Sequence, residues 1–347
     1  MKHHLNTLFV FTQDAYLAKD GDAVAVRIGH EVKLRLPLHN LGGIVCFGRV
    51  GASPALLGAC ATVGVAISFC TEHGRFLARC SGFTTGNVLL RREQYRWADD
   101  PARAAPVVRS ILFAKLANAR TVLLRAAREH PDADAAQRLI RAANDLASSI
   151  NAARTAQSVD ALRGVEGDAA STYFAVFNDL LRPTSSAART AFAFHNRSRR
   201  PPLDRVNALL SFLYALLAHD ARTACESCGL DPAVGFLHVD RPGRPGLALD
   251  MMEEFRAFLA DRLALSLINL GQVKASGFVV TESGAVEMTD ATRREVVAAY
   301  QKRKLETITH PFLNEKTTVG LLVHLQARLL ARHIRGDLDA YPPFSWK

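Results

Sequence analysis

The stretch Asp20-Gly-Asp-Ala-Val-Ala-Val-Arg-Ile-Gly-His-Glu-Val-Lys-Leu-Arg-Leu36 decides how the amino-terminal part of this chain folds. Its last six residues, from Glu31 to Leu36, alternate polar and apolar side chains, which is typical of a β-strand with one buried face. Asp20-Gly21 lies between two β-like runs, and this pair is favoured in the turns of tight hairpins. The stretch therefore predicts paired strands rather than helices.

Further β-like runs lie on both sides of this hairpin, up to about residue 85. They are Leu8–Thr12, Tyr16–Ala18, Ala23–Ile28, Gly43–Phe47, Val65–Cys70 and Phe76–Cys80. No residue from Ala52 to Cys70 is charged, but Pro54, Gly58 and Gly64 interrupt the run. We interpret it as a short helix over 53–63 followed by a buried strand over 65–70, and not as a membrane span.

After Asn87 the sequence changes to alanine-, leucine- and arginine-rich segments with helical spacing, which prolines interrupt near 101, 131, 183 and 201–202. The segment Phe278–Met288 is an exception, because Ser283-Gly284 lies at the centre of a hairpin pattern. Thr289 or Asp290 then caps the next helix. The prediction is an α+β chain with a small amino-terminal β-rich domain over 1–86 and a larger, mostly α-helical domain over 87–347.

Composition and net charge indicate which class of protein this is and which kind of binding partner it favours. The chain has 347 residues, and its 43 Lys and Arg against 33 Asp and Glu give a formal net charge of +10. This excess favours a polyanionic partner, nucleic acid before a membrane, although basic housekeeping enzymes share it. Apolar residues make up 49%, as in ordinary globular proteins. Six scattered cysteines and no signal peptide favour the reducing cytoplasm.

Glu166 lies between two glycines in a segment with helical spacing, Leu162-Arg-Gly-Val-Glu-Gly-Asp-Ala-Ala-Ser-Thr-Tyr-Phe174. Each glycine destabilises a helix interior by about 1 kcal/mol relative to alanine. Two glycines beside one carboxylate indicate that something bulky approaches the backbone, as a polyanion held through a metal ion would. The alternative is a close helix crossing with Glu166 on a solvated face.

His238 precedes a Pro- and Gly-rich turn over 241–246, and a helix is predicted to begin near Leu247. On this helix the apolar stripe occupies one side, while Asp250, Glu253 and Glu254 lie on the other. An imidazole followed by a helix with carboxylates offers nitrogen and oxygen ligands to a hard or borderline divalent cation. The alternatives are an ordinary amphipathic helix and a packed core histidine.

Five arginines are concentrated in residues 189–205, the arginine segment, in which Asp204 is the single acid. They are Arg189, Arg197, Arg199, Arg200 and Arg205, with Phe192, Phe194 and His195 interleaved. Guanidinium groups suit phosphate oxygens, so the segment predicts contact with a nucleic-acid backbone. The alternative is a solvated loop.

Motifs for several other chemistries are absent from the sequence. There is no P-loop, no dinucleotide-binding Gly-x-Gly-x-x-Gly after a strand and no Gly-x-Ser-x-Gly elbow. Cys225-Glu-Ser-Cys228 has CxxC spacing, but no second pair follows at zinc-finger distance and Gly229 predicts a helix end there. Nucleotide cofactors and a zinc finger are therefore not expected.

The order of the motifs resembles one family. After the β-rich region come Leu162-Arg-Gly-Val-Glu-Gly167, Arg199-Arg-Pro-Pro-Leu-Asp-Arg-Val-Asn-Ala-Leu-Leu210, Gly229-Leu-Asp-Pro232 with Gly235-Phe-Leu-His238, and Leu249-Asp-Met-Met-Glu-Glu-Phe-Arg256. Over essentially the whole chain, this arrangement resembles the CRISPR-associated integrases, the endonuclease family counted first among the Cas proteins. These enzymes insert new spacers into CRISPR arrays. Four motifs in the expected order are far more specific than any one of them.

The resemblance implies that residues 1–86 mediate a homodimer and that residues 87–347 form the catalytic domain with one divalent metal ion, Mn²⁺ or Mg²⁺. It implies that Glu166, His238 and Glu253 bind this ion, with Asp250 as a supporting or alternative ligand, since the family often reads Asp-x-x-Asp or Asp-x-x-Glu here. The turn over 241–246 looks longer than in some members. The implied partners are DNA, as prespacer and CRISPR repeat, and a small second Cas protein, with no membrane.

The implied reaction is attack by the 3′-hydroxyl of a prespacer on a phosphodiester at the edge of the repeat. One phosphodiester replaces another, so the reaction needs no ATP, and the missing P-loop agrees with this. Two other functions stay open. One is a non-catalytic nucleic-acid-binding scaffold in which the acids serve structure, and the other is a metal-dependent phosphoesterase of small substrates, which would need an enclosed pocket.

Overall fold

The computed structural model describes residues 6–72, 76–80, 82, 88–183 and 185–346. The chain divides into two compact units, Met1–Thr85 and Gly86–Lys347. Strands dominate the first unit and helices dominate the second. The predicted α+β class is therefore confirmed.

The described part of the first unit contains two four-stranded sheets and a short helix. The strands are β1 Asn6–Val10, β2 Ala15–Asp20, β3 Ala23–Ile28, β4 Glu31–Pro37, β5 Leu41–Phe47, β6 Gly51–Ala52, β7 Ala66–Cys70 and β8 Phe76–Cys80. One sheet has the order β1-β5-β7-β8, and the other has the order β4-β3-β2-β6. The short strand β6 was not predicted, because two residues are too few to show a period.

The hairpin between β2 and β3 is the one that the sequence predicts. Asp20 pairs with Ala23, which leaves Gly21 and Asp22 as the turn. Gly21 has a φ of +58°, in the left-handed region that glycine enters without steric cost. Strand β4 then pairs antiparallel with β3, so the three strands form a meander.

The uncharged run before Cys70 is a helix followed by a strand, as predicted. Helix α1, Pro54–Thr62, begins after Ser53, whose hydroxyl accepts the Leu56 N–H at 3.2 Å. Leu56 and Ile67, from α1 and β7, are fully buried in the core shared by both sheets. Nowhere in the described part of the chain does a helix combine the length and apolar character needed to cross a membrane.

Most of the second unit is helical. Its helices are α2 Val88–Asp99, α3 Pro101–Arg128, α4 Ala133–Thr155, α5 Val159–Ala175, α6 Ser186–Ala191, α7 Arg205–Ser227, α8 Gly246–Glu253, α9 Arg262–Asn269, α10 Asp290–Leu305 and α11 Val319–Ile334. A π-helical segment, Arg256–Asp261, joins α8 to α9. Helix α3 packs against α4, α5 and α8, and α8 also packs against α7 and α11. The segments that carry the candidate site residues therefore meet around α3.

Side-chain caps set where the long helices begin. Asp100, Asp132, Ser158 and Asp204 accept backbone N–H groups at the first turns of α3, α4, α5 and α7. Thr289 caps α10 directly after the hairpin of β9, Phe278–Val280, and β10, Val286–Met288. A second hairpin, β11 Thr307–Thr309 with β12 Lys316–Thr318, precedes α11.

Two further expectations about local structure have clear outcomes. Helix α7 ends before Gly229, whose φ of +82° suits a helix end, and all six cysteines are free thiols. The alternative interpretation of α8 as an ordinary amphipathic helix is wrong, because Asp250 and Glu253 on it, and Glu254 directly after it, are as buried as its apolar residues. These carboxylates find partners inside the protein instead of in water.

Candidate active site

Asp250 on α8 holds the segment that ends at His238. Its Oδ2 accepts the N–H groups of Phe236 at 2.6 Å and Leu237 at 2.9 Å. Its Oδ1 accepts the N–H of His238 at 3.1 Å and lies 2.6 Å from the ring Nδ1 of the same residue. An ionised carboxylate only accepts hydrogen bonds, so this contact assigns a ring proton to Nδ1, and in the neutral imidazole Nε2 is then the nitrogen that keeps a lone pair.

Two glycines let this segment approach α8 closely. A Cβ on Gly235 would lie 2.6 Å from Asp250 Oδ2, and one on Gly246 would lie 2.7 Å from the Ala233 carbonyl oxygen. Both distances are shorter than any real Cβ contact, so only glycine fits at either position. The Pro- and Gly-rich turn thus serves to bring His238 against Asp250.

Glu253, one turn further along α8, lies between two cations. Its carboxylate accepts from Arg256 Nη1 at 2.8 and 3.1 Å, and its Oε2 lies 2.8 Å from Lys115 Nζ. Burial alone would raise the pKa of Glu253, but Arg256, Lys115 and His238 together hold it well below its usual range. Glu253 is therefore an ionised carboxylate in the interior of the protein.

Lys115 on α3 also pairs with Glu166 on α5. Glu166 remains 30% exposed, and a Cβ on either neighbouring glycine, Gly164 or Gly167, would meet open space. The face of α5 around Glu166 is therefore open to a ligand. Arg163, one turn earlier on α5, donates from Nε to the Leu237 carbonyl at 2.6 Å and so ties this helix to the His238 segment.

The structure thus brings Glu166 and Glu253 together through one ammonium group, while Asp250, three residues before Glu253 on α8, holds the His238 ring. Among the described residues, no three His, Cys, Asp or Glu side chains form a ready metal cage. The chemistry of the donors nevertheless fits Mn²⁺ or Mg²⁺, because two carboxylates converge on a cation and an imidazole nitrogen is available. Asp250 does not fit as a direct ligand, since all its contacts are internal.

A buried network that was not predicted lies beside these residues. Tyr214 and Tyr173 donate to Asp261 at 2.5 and 3.1 Å, and the Arg256 guanidinium lies 4.3 Å from the centre of the Tyr214 ring. Burial raises the pKa of Asp261, although the Tyr214 hydrogen bond and Arg256 oppose it. Asp261 and Arg256 belong to the π-helical segment, a feature frequent at functional sites.

The arginine segment is only partly available to a ligand. Arg197 donates to Asn207 Oδ1 at 2.6 Å and to Ser211 Oγ at 3.1 Å, while Arg205 donates to the Ala191 carbonyl at 2.9 Å. Phe192 and Phe194 are buried in the core and present no ring to a ligand.

The other three arginines of this segment, Arg189, Arg199 and Arg200, are exposed. Arg199 lines a cleft together with Lys115, Glu166 and Tyr173. The part of the segment nearest to the carboxylates is thus the part that is open to a ligand.

Sequence reasoning missed five residues of this site. They are Lys115, Tyr173, Tyr214, Arg256 and Asp261. Arg256 was detectable, because it follows Glu253 by three residues and such pairs meet on a helix. Lys115 lies in an alanine-rich helix far from every motif, so no local signal marks it.

Comparison with known proteins gives the family. The model of the family "CRISPR associated protein Cas1" matches residues 8–302. A CRISPR-associated endonuclease Cas1 of Chlorobaculum tepidum is 55% identical over 347 residues, which is all of both chains. One of Rhodospirillum rubrum is 52% identical over 351 residues, again over both full chains.

Solved structures share the fold. A Cas1 protein from Thermotoga maritima has a TM-score of 0.82 at 22% identity, over 99% of this chain and 100% of its own. A casposase bound to integration product also has a TM-score of 0.82, at 20% identity, over 99% of this chain and 95% of its own. The family match and the identity to these full-length relatives lead to one conclusion: the chain belongs to the Cas1 family of CRISPR-associated proteins.

Proposed function

We propose that this chain is a divalent-metal-dependent DNA endonuclease and integrase of CRISPR adaptation. The observation that carries the proposal is the convergence of Glu166 and Glu253 on one cation position, with the His238 ring held beside them by Asp250. Family membership supports it, since full-length relatives more than half identical bear the name of endonuclease.

In this proposal Glu166, Glu253 and Nε2 of His238 hold one Mn²⁺ or Mg²⁺ ion. When bound, such an ion polarises a phosphoryl oxygen and orients the attacking oxygen. Asp250 keeps the His238 ring in the tautomer that a metal ligand needs. Arg256 fixes the Glu253 carboxylate through two contacts and keeps it ionised.

The remaining residues position DNA and balance its charge. Lys115 lies beside the more exposed Glu166, where its ammonium offsets negative charge on the reacting phosphate. Arg199 and Arg200 bind backbone phosphates next to the cleft. The 3′-hydroxyl oxygen of the prespacer then bonds to the phosphorus at the edge of the repeat and loses its proton. The bond from phosphorus to the repeat strand breaks, and its leaving oxygen gains a proton.

Strand transfer with synthetic DNA tests the proposal. Wild-type protein with Mn²⁺ should join a prespacer to a repeat duplex, and EDTA should stop the reaction. Glu166→Gln, His238→Ala and Glu253→Gln should each abolish joining while duplex binding survives. Because the three residues act as one unit, a double variant should be little worse than a single one. Full activity in EDTA would overturn the proposal.

We also propose that the first unit mediates a homodimer, and that a small second Cas protein joins it in the integration complex. The outer strand β4 is exposed along its length, with Val32 50% and Leu34 41% accessible. Apolar side chains on an exposed edge strand favour association with another copy. Light scattering should find a dimer at micromolar concentrations, and a stable monomer would contradict this.

A further inference from the structure

Asn207, in the first turn of α7, is fully buried, and its side chain is tied to the arginine segment. Its Oδ1 accepts from Ser198 N at 3.0 Å and from Arg197 Nη1 at 2.6 Å. Its Nδ2 donates to the carbonyl of Asn196 at 2.7 Å and to the carboxylate of Asp204. A primary amide has two N–H donors and an oxygen with two lone pairs, so all four hydrogen-bonding positions are used.

The hydrogen bonds of Asn207 take the place of regular secondary structure. Residues 193–203 form neither helix nor strand. Backbone N–H and C=O groups that leave water need partners, and a stretch of this kind obtains them from side chains. One amide pairs with the carbonyl of Asn196 and the N–H of Ser198, and so fixes the backbone directly before Arg199.

The backbone after the two exposed arginines is also fixed. Ser198 Oγ accepts the N–H of Leu203 at 2.9 Å, which joins the two ends of the loop over 198–203. The carbonyl of Pro202 accepts the N–H of Val286 on β10 at 2.9 Å. A short loop with joined ends has far fewer conformations than a free chain of the same length.

This loop carries Arg199 and Arg200, both of which are exposed, and Arg199 lines the cleft beside Glu166. A mobile loop would have to be ordered when its arginines bind a ligand, and that loss of conformational entropy would weaken binding. Here the hydrogen bonds of Asn207 and Ser198 order the loop when the protein folds.

We propose that Asn207 is a positioning residue for DNA binding, because it fixes the loop from which Arg199 and Arg200 reach the backbone phosphates. Asn207 is buried and acts only through these two arginines. The identity of the ligand as DNA rests on the proposed function, whereas the ordering of the loop rests on the hydrogen bonds of the folded chain alone.

A double-mutant cycle with the full-length protein tests the role of Asn207. Fluorescence anisotropy with a labelled duplex in EDTA measures affinity without turnover, at a temperature at which every variant is folded. Asn207→Ala should bind about 5- to 10-fold more weakly than the wild type, since binding must now order the loop. Arg199→Ala combined with Arg200→Ala should cost at least 3-fold less affinity in the Asn207→Ala background than in the wild-type background.

Asn118→Ala is the matched control. Asn118 is also a fully buried asparagine, but it bonds to the backbone of Glu254, Phe344 and Trp346 and not to the arginine segment. In its background the two arginine substitutions should cost as much affinity as in the wild type. An equal cost in the Asn207→Ala background would overturn the proposal, because the arginines would then act independently of Asn207.

Trypsin tests the ordering of the loop without DNA. In the folded protein, cleavage after Arg199 should be faster in Asn207→Ala than in the wild type or in Asn118→Ala, because cleavage follows local opening of the chain. Mass spectrometry of the fragments identifies this bond. If Asn207→Ala does not fold, Ser198→Ala takes its place in both experiments, since it removes only the bond to the Leu203 N–H.

The two experiments separate the inference from the proposed function. Equal cleavage after Arg199 in the wild type and the variant would overturn the inference alone. If the two arginine substitutions leave the affinity of the wild type unchanged, the phosphate contacts of the proposed function are wrong. Faster cleavage in the variant would then still support the ordering of the loop by Asn207.

Discussion

His238 Nδ1 lies 2.6 Å from Asp250 Oδ1, and the backbone N–H of His238 donates to the same oxygen at 3.1 Å. One buried carboxylate therefore fixes both the ring and the backbone of the histidine. The contact turns Nε2, the nitrogen that a metal ion would take, away from Asp250. In the proposed site, Asp250 therefore positions His238 rather than binding the metal ion.

Asp250→Asn should lower the free energy of unfolding by about 2–3 kcal/mol, because an amide NH₂ would face groups that donate to both oxygens. Strand transfer should also fall, since the His238 ring loses its orientation. Urea unfolding measures the first effect, and joining assays well below the unfolding midpoint measure the second. If the variant were as stable as the wild type, the four contacts of Asp250 would not stabilise the fold as expected.

Lys115→Met removes the cation between Glu166 and Glu253. Without metal, the variant should be about 3 kcal/mol less stable, the lower end of the cost of breaking a buried ion pair, because Glu166 loses its cation while Glu253 keeps Arg256. Added Mn²⁺ should raise its melting temperature by more than it raises that of the wild type.

Lys304→Met is the matched control, since Lys304 pairs with Asp220 at 2.9 Å away from the site. It should gain no extra stabilisation from Mn²⁺. If Lys115→Met responds to Mn²⁺ no more strongly than the wild type, the two carboxylates do not form a cation site.

Arg199→Ala combined with Arg200→Ala should weaken duplex binding and lower its salt slope by up to about two units, because both side chains are exposed. Arg197→Ala should instead mainly lower stability, since Arg197 donates to Asn207 and Ser211 inside the protein. Anisotropy titrations over a salt series and thermal unfolding separate the two effects. An unchanged salt slope in the double variant would mean that the arginine segment is a solvated loop that contacts no DNA phosphate.

His310 should make the fold sensitive to acid. Its Nδ1 accepts the N–H groups of Phe312 and Leu313 at 3.3 and 3.2 Å, so its Nε2 carries the proton that Gln326 accepts. Burial lowers the pKa of His310 below its usual 6.5, although the Gln326 hydrogen bond opposes this. Below about pH 6.5 the unfolded chain then binds more protons than the folded one, so stability is present above this pH and is lost as pH falls.

His310→Asn tests this effect, because asparagine can accept the same N–H groups but does not titrate. Unfolding free energies between pH 5 and 8 should fall toward acid more steeply for the wild type than for the variant. Parallel curves would show that His310 is not the cause.

Local signals predicted much of the fold. Asp20-Gly21 marked a turn, and the pair Thr289 and Asp290 marked a helix start, because such positions demand particular side chains; the structure has Thr289 as the cap. The surroundings of α8 could not be predicted. The spacing of apolar residues shows that Asp250 and Glu253 are polar, but it does not show that the folded protein supplies buried hydrogen-bond and ion-pair partners for them. Lys115 could not be identified from the sequence for a related reason. Its ion pair with Glu166 joins α3 to α5, and only tertiary packing brings these two residues together.

The positions of the candidate ligands in the sequence came from motif order, and the structure adds the contacts around them. Asp250 and Glu253 are one turn apart on α8, yet one faces backbone N–H groups and the other faces cations. No sequence pattern distinguishes these two environments. The assignment of Glu166, His238 and Glu253 as ligands stays a prediction.

Calorimetric titration of the metal-free, full-length protein with Mn²⁺ tests the central claim most directly. We expect one Mn²⁺ ion per chain in the wild type, and a loss of binding in Glu166→Gln, His238→Ala and Glu253→Gln. The control Lys304→Met should bind like the wild type. Absence of Mn²⁺ binding in the folded wild type, or equal binding in all three variants, would contradict a metal site formed by these residues.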